Sequence, residues 1–458
     1  MKLKTLVLAM SFTLPGLVVA QTVDFKTSVE TTLSQNPQRD ITAAQMDQAR
    51  AAYDQAKLSR MPQFTLSVTG SHSNNALNVF GMKLQQRQAT FGDFGFAEAP
   101  GPGSTSTFDT RPRDLNKPGS HNDLNTRVEM LLPIYNGGKV ESFQQQASAM
   151  LHAAQQGDQA VKQMLTYFVY EAYEGVHAAR AFIQVAEQAL LAADAYIQTT
   201  QNLVRQGVVV RSELLSAQAH RAEIELMHEQ AKNQELLAFD GLRTLMGWSA
   251  DAPIDVAERV AIELPNLALD EMIRMAMDTN PQLIAMRHQV QASQAEVRLA
   301  KSDKMPSLNL MARSDWNDDT IGFSAHSYTI AAVASWKITD FGMTDRAVDQ
   351  ANASVREQEA RMRAEEQKVR MGLLQAWREY QNGLKKVTSS QAAVEYASEA
   401  QTLITRRYET GVATMTEVLA GQTQLDKARA ELVSSQFSVN MQKAQVLLAI
   451  GRMQHNQI

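Results

Sequence analysis

Gln63-Phe64-Thr65-Leu66-Ser67-Val68-Thr69-Gly70 decides the fold. Phe64, Leu66 and Val68 fall on one side of an extended chain, and Gln63, Thr65, Ser67 and Thr69 on the other. Alternation with a period of two is the signature of a strand that is apolar on one face only. From 124 to 132 the pattern returns. Leu124, Thr126, Val128, Met130 and Leu132 share one face, and Asn125, Arg127 and Glu129 the other. Two further stretches agree. Leu308, Leu310 and Ala312 oppose Asn309 and Arg313, while Tyr328, Ile330, Ala332, Ala334 and Trp336 oppose Thr329, Ser335 and Lys337. Tyr328 and Trp336 are eight residues apart, about 20 Å of height for a tilted strand, which suits the two aromatic girdles of a membrane barrel.

A soluble sheet packed on a helix would also alternate. Here the strands are long and no helix is patterned to cover them. In hydrocarbon a sheet cannot keep an open edge, because edge N–H and C=O groups would go unpaired. Four strands are too few to close, since the smallest bacterial single-chain barrels have about eight. The chain is therefore expected to share one barrel among several copies.

Downstream of each strand pair lies a helix too long for an ordinary globule. From Glu141 to about Arg205 there is no proline. Phe143, Ala147, Met150, Ala154, Val161, Leu165 and Phe168 recur in steps of mostly three and four, and the series continues to Ile197. That spacing is a packing seam. About 65 residues at 1.5 Å each give close to 100 Å. The stretch from Asp345 to Tyr408 repeats the pattern through Val369, Leu373, Ala376, Val394 and Ile404. Both helices stop at short turns, Gly207-Val208-Val209 and Gly411-Val412-Ala413. Glycine suits the left-handed position after a helix end, Ser212 and Thr416 are expected N-caps of the returning helices, and the exposed valines suggest a contact surface.

The chain is a tandem duplication. At an offset of 244, Asn36-Pro37-Gln38 meets Asn280-Pro281-Gln282, Ala56-Lys57 meets Ala300-Lys301, and Met61-Pro62 meets Met305-Pro306. The 31 positions from Asn36 to Leu66 hold ten identities, against roughly two expected from average composition. Further on the offset is 204. Gly138 meets Gly342, Gly207-Val208 meets Gly411-Val412, Glu213 meets Glu417, Gln218 meets Gln422, and Gly247 meets Gly451. The first copy therefore carries about forty extra residues between Gly70 and Val128. Residues 21–248 read as the first repeat, with strands near 63–70 and 124–134, a long helix at about 141–205 and a return helix at about 213–247. Residues 249–266, with Pro253 and Pro265, form the linker. Residues 267–458 read as the second repeat, with strands near 307–313 and 328–338, a long helix at about 345–408 and a return helix at about 417–450.

Lys2 and Lys4, an apolar run from Leu6 to Val19 and Ala20 before Gln21 read as a signal peptide over 1–20. The chain has no Cys, which removes disulfides, Cys-zinc sites and Cys nucleophiles. The formal net charge is −5, and −7 once Lys2 and Lys4 are lost. That balance argues against nucleic-acid binding. No enzyme signature stands out. His228-Glu229 begins like a zinc-protease motif, but position 232 is Lys. Met272, Met275 and Met277, with Met286 and His288 nearby, could hold Cu(I), yet Met is as readily a helix filler. No cofactor and no metal site is expected.

Together these features resemble the outer membrane efflux protein family, the TolC-like channel subunits. The likeness rests on the duplicated strand pair, Leu132-Pro133-Ile134-Tyr135-Asn136-Gly137-Gly138 leading into the long helix, and the Gly-Val tips followed by Glu213-Leu214-Leu215 and Glu417-Val418-Leu419. Phe80-Gly81-Met82-Lys83-Leu84, with Leu115-Asn116 and Pro118, is similar to a loop of one branch of the family. The resemblance implies a mainly α fold with a small β part. It implies a homotrimer whose twelve strands form one barrel in the outer membrane, continued by an α-helical barrel in the periplasm. The extra forty residues would then form an external loop.

The function implied is a passive export duct, one part of a tripartite efflux or type I secretion system. The implied partners are membrane lipid, a periplasmic adaptor and an inner-membrane pump of the RND, ABC or another class. Gly207, Val208, Val209, Gly411, Val412 and Ala413 match the tips that meet the adaptor. Glu213 and Glu417 match acids at the periplasmic aperture. Ala413 and Ala420 depart from the family pattern, standing where a gate-locking Arg and a second ring acid occur. A coiled-coil envelope or adhesion protein without channel activity is the alternative, but it leaves the alternating strands unexplained.

Overall fold

A computed structural model describes residues 21–103, 107 and 109–454; the expected signal peptide at 1–20 lies outside them. In chain order the elements are β1 (Gln21–Val23), α1 (Phe25–Gln35), α2 (Pro37–Leu58), β2 (Gln63–Ser73), α3 (Ala76–Gln85), α4 (Arg113–Asn116), β3 (His121–Tyr135), α5 (Lys139–Arg205), α6 (Arg211–Met246), β4 (Ile254–Val256), α7 (Leu269–Thr279), α8 (Pro281–Ser302), β5 (Ser307–Asp318), β6 (His326–Ser335), α9 (Met343–Glu409) and α10 (Met415–Ala449). α5 and α9 each run for 67 residues. Among the described residues no helix is long and apolar enough to cross a membrane. The chain forms two compact units, and each draws on both sequence repeats.

One unit (48–151 and 288–359) holds the main sheet. Its order is β2-β3-β5-β6, antiparallel throughout, so the two repeats join through the β3–β5 pairing. Cross-strand register puts Leu66 opposite Val128, Val128 opposite Ser314, and Ser314 opposite Tyr328. This face is apolar and bare, with Leu66 69% exposed and Tyr328 74% exposed. The other face is polar and bonded. Arg127 Nε donates to Asp315 Oδ1 at 2.7 Å, and Asn125 Nδ2 donates to Asn317 Oδ1 at 2.8 Å. β2 and β6 are the outer strands, and among the described residues neither has a second partner. Pro133 falls where pairing of β3 with β2 has ended at Leu131 and next to the register shift of the β3–β5 pair, the kind of edge and bulge position where strand proline is found.

Several strand limits differ from the sequence reading: β2 runs to Ser73 rather than 70 and β3 starts at His121 rather than 124, because the two pair with each other out to those residues. β5 continues to Asp318 rather than 313, because Trp316 and Asn317 keep partners in Thr126 and Asn125. β6 stops at Ser335 rather than 338, because its partner strand begins at Ser307.

The other unit (21–47, 152–287 and 360–454) contains the principal core. Phe25, Val29, Tyr170, Tyr173, Val176, Leu242, Met246, Met272, Leu373, Ile450 and Met453 are buried together. Parallel pairing of β1 with β4 closes one side. The repeated Asn-Pro-Gln motif has a clear purpose here. Asn36 Oδ1 accepts the Gln38 N–H at 2.9 Å while its Nδ2 donates to Leu245 O at 2.9 Å. Asn280 does the same toward Gln282 N–H at 2.9 Å and Ala449 O at 3.0 Å. Each Asn thus starts one helix and satisfies a carbonyl at the end of another, and the following Pro takes the first helical position. Glu174 is fully buried in this unit. Burial pushes its carboxyl up, opposed by Arg259 at 3.3 Å and by Asn440.

Candidate functional site

The ends of α5 and α9 are built alike. Gly207 has φ +74° and Gly411 φ +75°. Val208 N–H donates back to Leu203 O at 2.9 Å, and Gly207 N–H to Val204 O at 3.1 Å. Val412 N–H donates to Arg407 O at 2.8 Å, and Gly411 N–H to Tyr408 O at 2.9 Å. These paired bonds are the Schellman closure, which needs a left-handed residue that only glycine supplies without strain. A Cβ on Gly411 would lie 3.7 Å from Val208 Cγ1, so the two turns are neighbours. Val208 and Val412 are exposed, the latter 67%. Val209 and Ala413 turn inward instead, against a cluster of Ala217, Tyr408, Met415 and Val418.

The caps differ from the sequence reading. Thr414, not Thr416, caps α10. Its side chain accepts the Glu417 N–H at 3.3 Å, and Glu417 reaches back to the Thr414 N–H at 3.4 Å, a reciprocal capping box. α6 starts after Val210, which carries no capping side chain, and Ser212 lies inside the first turn. The reason is geometric. The Schellman turn returns the chain to helix three or four residues after the glycine, before either Ser212 or Thr416 is reached. Glu417 is also held by Arg407, Nη2 to Oε2 at 3.7 Å. Glu213 accepts from the Tyr408 hydroxyl at 3.3 Å. Ala420 is exposed beside them.

Above the cluster runs a set of polar side chains absent from the sequence reading. Tyr408 Oη and Thr200 Oγ1 are 3.0 Å apart. Gln401 Nε2 donates to Tyr196 Oη at 2.8 Å and to Val418 O at 3.0 Å. Tyr196 Oη donates to Gln422 Oε1 at 2.9 Å, and Gln422 Nε2 donates to Asp426 Oδ1 at 2.8 Å. Burial pushes the Asp426 carboxyl up. Three helices, α5, α9 and α10, are tied by this set, and Glu213 adds α6. The available signal was polar residues on the seam: Gln401 falls one heptad after Val394, and Tyr408 four residues after Ile404. Gly421 makes room for it, since a Cβ there would sit 2.1 Å from Gln401 Oε1. Gly421→Val is therefore expected to displace Gln401 and cost about 1–3 kcal/mol as an overpacked core. A clear drop in the thermal midpoint of the purified protein, beyond that of Gly372→Val in open space, is the check.

Tyr328 and Trp336 lie in the sheet unit. Tyr328 is on the bare apolar face, whereas Trp336 is one residue past β6, and its Nε1–H donates to Lys304 O at 3.1 Å. Trp316 shares the Tyr328 face and contacts Phe323 edge-on at 5.9 Å. Met272 is fully buried in the principal core, and Met275 and Met277 pack on it. Glu229 pairs with Lys232 at 3.1 Å. Among the described residues no group of three or more His, Cys, Asp or Glu side chains is placed to hold a metal.

Comparison with known proteins bears on this arrangement. A family model described as "Outer membrane efflux protein" matches residues 29–248 and 272–452. No curated protein matches by sequence. Among solved structures, CusC, described in relation to folding and transmembrane channel formation, is 15% identical, with a TM-score of 0.78 over 94% of this chain and 92% of that one. VceC, an outer membrane protein of Vibrio cholerae, is 16% identical, with a TM-score of 0.77 over 93% and 96%. The open state of the MtrE outer membrane channel of Neisseria gonorrhoeae is 16% identical, with a TM-score of 0.73 over 95% and 90%.

Proposed function

Since the chain belongs to the outer membrane efflux protein family, we propose that three copies assemble into one passive duct that carries solutes from the periplasm to the exterior. The protein is one of the outer membrane that extends into the periplasm. The observation that carries the reading is the main sheet. It exposes one apolar face and leaves β2 and β6 without outer partners. Hydrocarbon suits the face but forbids the edges. Pairing β6 of one copy with β2 of the next satisfies both, and three copies give twelve strands. The polar face, with Arg127, Asp315 and Asn317, then lines the lumen.

The tips take the other role. Val208 and Val412 present apolar surface around two rigid turns, suited to a periplasmic adaptor that brings an inner-membrane pump of the RND, ABC or another class. Glu213 and Glu417 ring the aperture, and Tyr408 and Arg407 hold them in place. In this reading the direction of transport comes from the pump. The test is the purified mature protein in detergent. A heat-modifiable trimer that conducts ions when reconstituted in planar bilayers is expected. A water-soluble monomer without conductance overturns the reading and favours a coiled-coil envelope protein.

A further inference from the structure

The described part of the extra segment of the first repeat folds as a discrete element. Val79 and Met82 of α3 are buried within it. The Phe80 ring meets Phe94 edge-on at 4.9 Å. Lys83 pairs with Asp93, and hydrogen bonds from Lys83 and Thr90 hold the Asp93 carboxyl down, to about 2. Glu98 accepts the N–H groups of Arg113 and Asp114 at 2.8 and 3.0 Å. This is a built fold rather than a slack connection.

It docks on one face of the sheet. Gln86 Nε2 donates to Asn122 O at 2.8 Å and to Asp123 Oδ1 at 3.0 Å, and Gln86 Oε1 meets His121 Nε2 at 2.7 Å. Asp123 heads the row of Asn125, Arg127 and Glu129, the polar face. Arg87 Nη2 donates to His326 O on β6 at 2.6 Å, so the element reaches across the sheet to its far strand. Gln86 covers Asp123 on this side, where Asp315 and Asn317 are also buried, while Leu66, Tyr328 and Ile330 on the other are bare.

We propose that residues 76–98 form a cap over the mouth of the barrel, and that the surface it presents is completed by the same segment of the neighbouring copies. The proposal rests on the trimeric reading above. In a barrel with its polar face inward, the rotation axis runs through the lumen, so whatever sits on that face is carried toward the axis. Phe91 and Phe96, in edge-on contact at 5.8 Å, are 82% and 64% exposed in one chain. The segment that carries them is anchored through Gln86 on the polar face, the side away from the bare apolar one. Cyclic symmetry places an identical aromatic pair across the axis, and burial of the three pairs against one another removes an apolar patch from water. The insertion thereby narrows the external mouth.

The native chain has no Cys, so Phe91→Cys and Phe96→Cys each introduce a single thiol per copy. Treatment of outer membranes with a short bismaleimide is expected to give covalent dimers with either variant, and none with Phe64→Cys on the apolar face. Phe91→Ser combined with Phe96→Ser is expected to assemble normally and to raise the single-channel conductance. If trimers form but both cysteine variants stay monomeric on denaturing gels, or if the serine variant conducts as the native protein does, the cap is overturned and the duct stands. If no trimer or conductance is found for the native protein, the duct reading fails, and the cap with it.

Discussion

Gly207→Trp and Gly411→Trp are each expected to abolish export while leaving the trimer intact. Both glycines close a Schellman turn at φ near +75°, where an L-residue costs about 1–2 kcal/mol. That cost is modest beside the roughly 5–15 kcal/mol of a stable protein, and the sheet proposed to drive assembly is in the other compact unit. At the tips the effect is larger. A Cβ on Gly411 already touches Val208, whereas one on Gly207 meets open space, so an indole at 411 must push the two turns apart or cover Val208, and an indole at 207 adds its bulk to the outer surface of the same tip. Either outcome removes the surface proposed to meet an adaptor. Gly411→Ala carries the same backbone strain without the bulk, and should export far better than Gly411→Trp. Drug or solute resistance in cells lacking their own channel, read beside heat-modifiable trimers on gels, separates the effects. Normal export by both tryptophan variants would falsify the assignment of the tips.

Leu66→Lys is expected to remove the protein from the outer membrane, whereas Thr65→Lys is tolerated. The two residues are adjacent in β2 and point to opposite faces. Leu66 sits opposite Val128 on the bare apolar face, and Thr65 opposite Glu129 on the polar one. A Lys at the bilayer midplane of a barrel costs about 2–4 kcal/mol, and a trimer meets that cost in every copy. On the polar face the same ammonium stands in water beside a carboxylate. Quantifying trimer in outer-membrane fractions decides the matter. Equal abundance of the two variants would mean that the apolar face does not meet lipid.

Much of this architecture is readable before any folding. The strands announce themselves because side chains alternate strictly along an extended chain, so Leu66 and Thr65 are assigned to faces by parity alone. The glycines at 207 and 411 are readable because a helix end restricts its next residue to a left-handed conformation. The duplicated Asn36 and Asn280 stand out for a similar reason, since each bonds an N–H only two residues away.

The polar set at the tips was not readable. Tyr196 and Gln422 are 226 positions apart, and Gln401 and Tyr196 are 205 apart. The seam marks Gln401 and Tyr408 as inward-facing, but nothing local says which residues they meet. The caps misled for the opposite reason: Ser212, Thr414 and Thr416 are all chemically competent, and only the length of the turn selects among them.

Periodicity, helix ends and turn chemistry are short-range properties, determined by each residue and a few neighbours. The sequence by itself therefore determined the two-faced strands, the long helices, the duplication and the place of the tips. Tertiary structure alone decided that β3 pairs with β5, that Gln401 bridges Tyr196 and Val418, and that the extra segment lies on the polar face through Gln86 and Arg87. Those are choices among many sterically allowed partners, and they are made by the total free energy of packing rather than by any one stretch of chain.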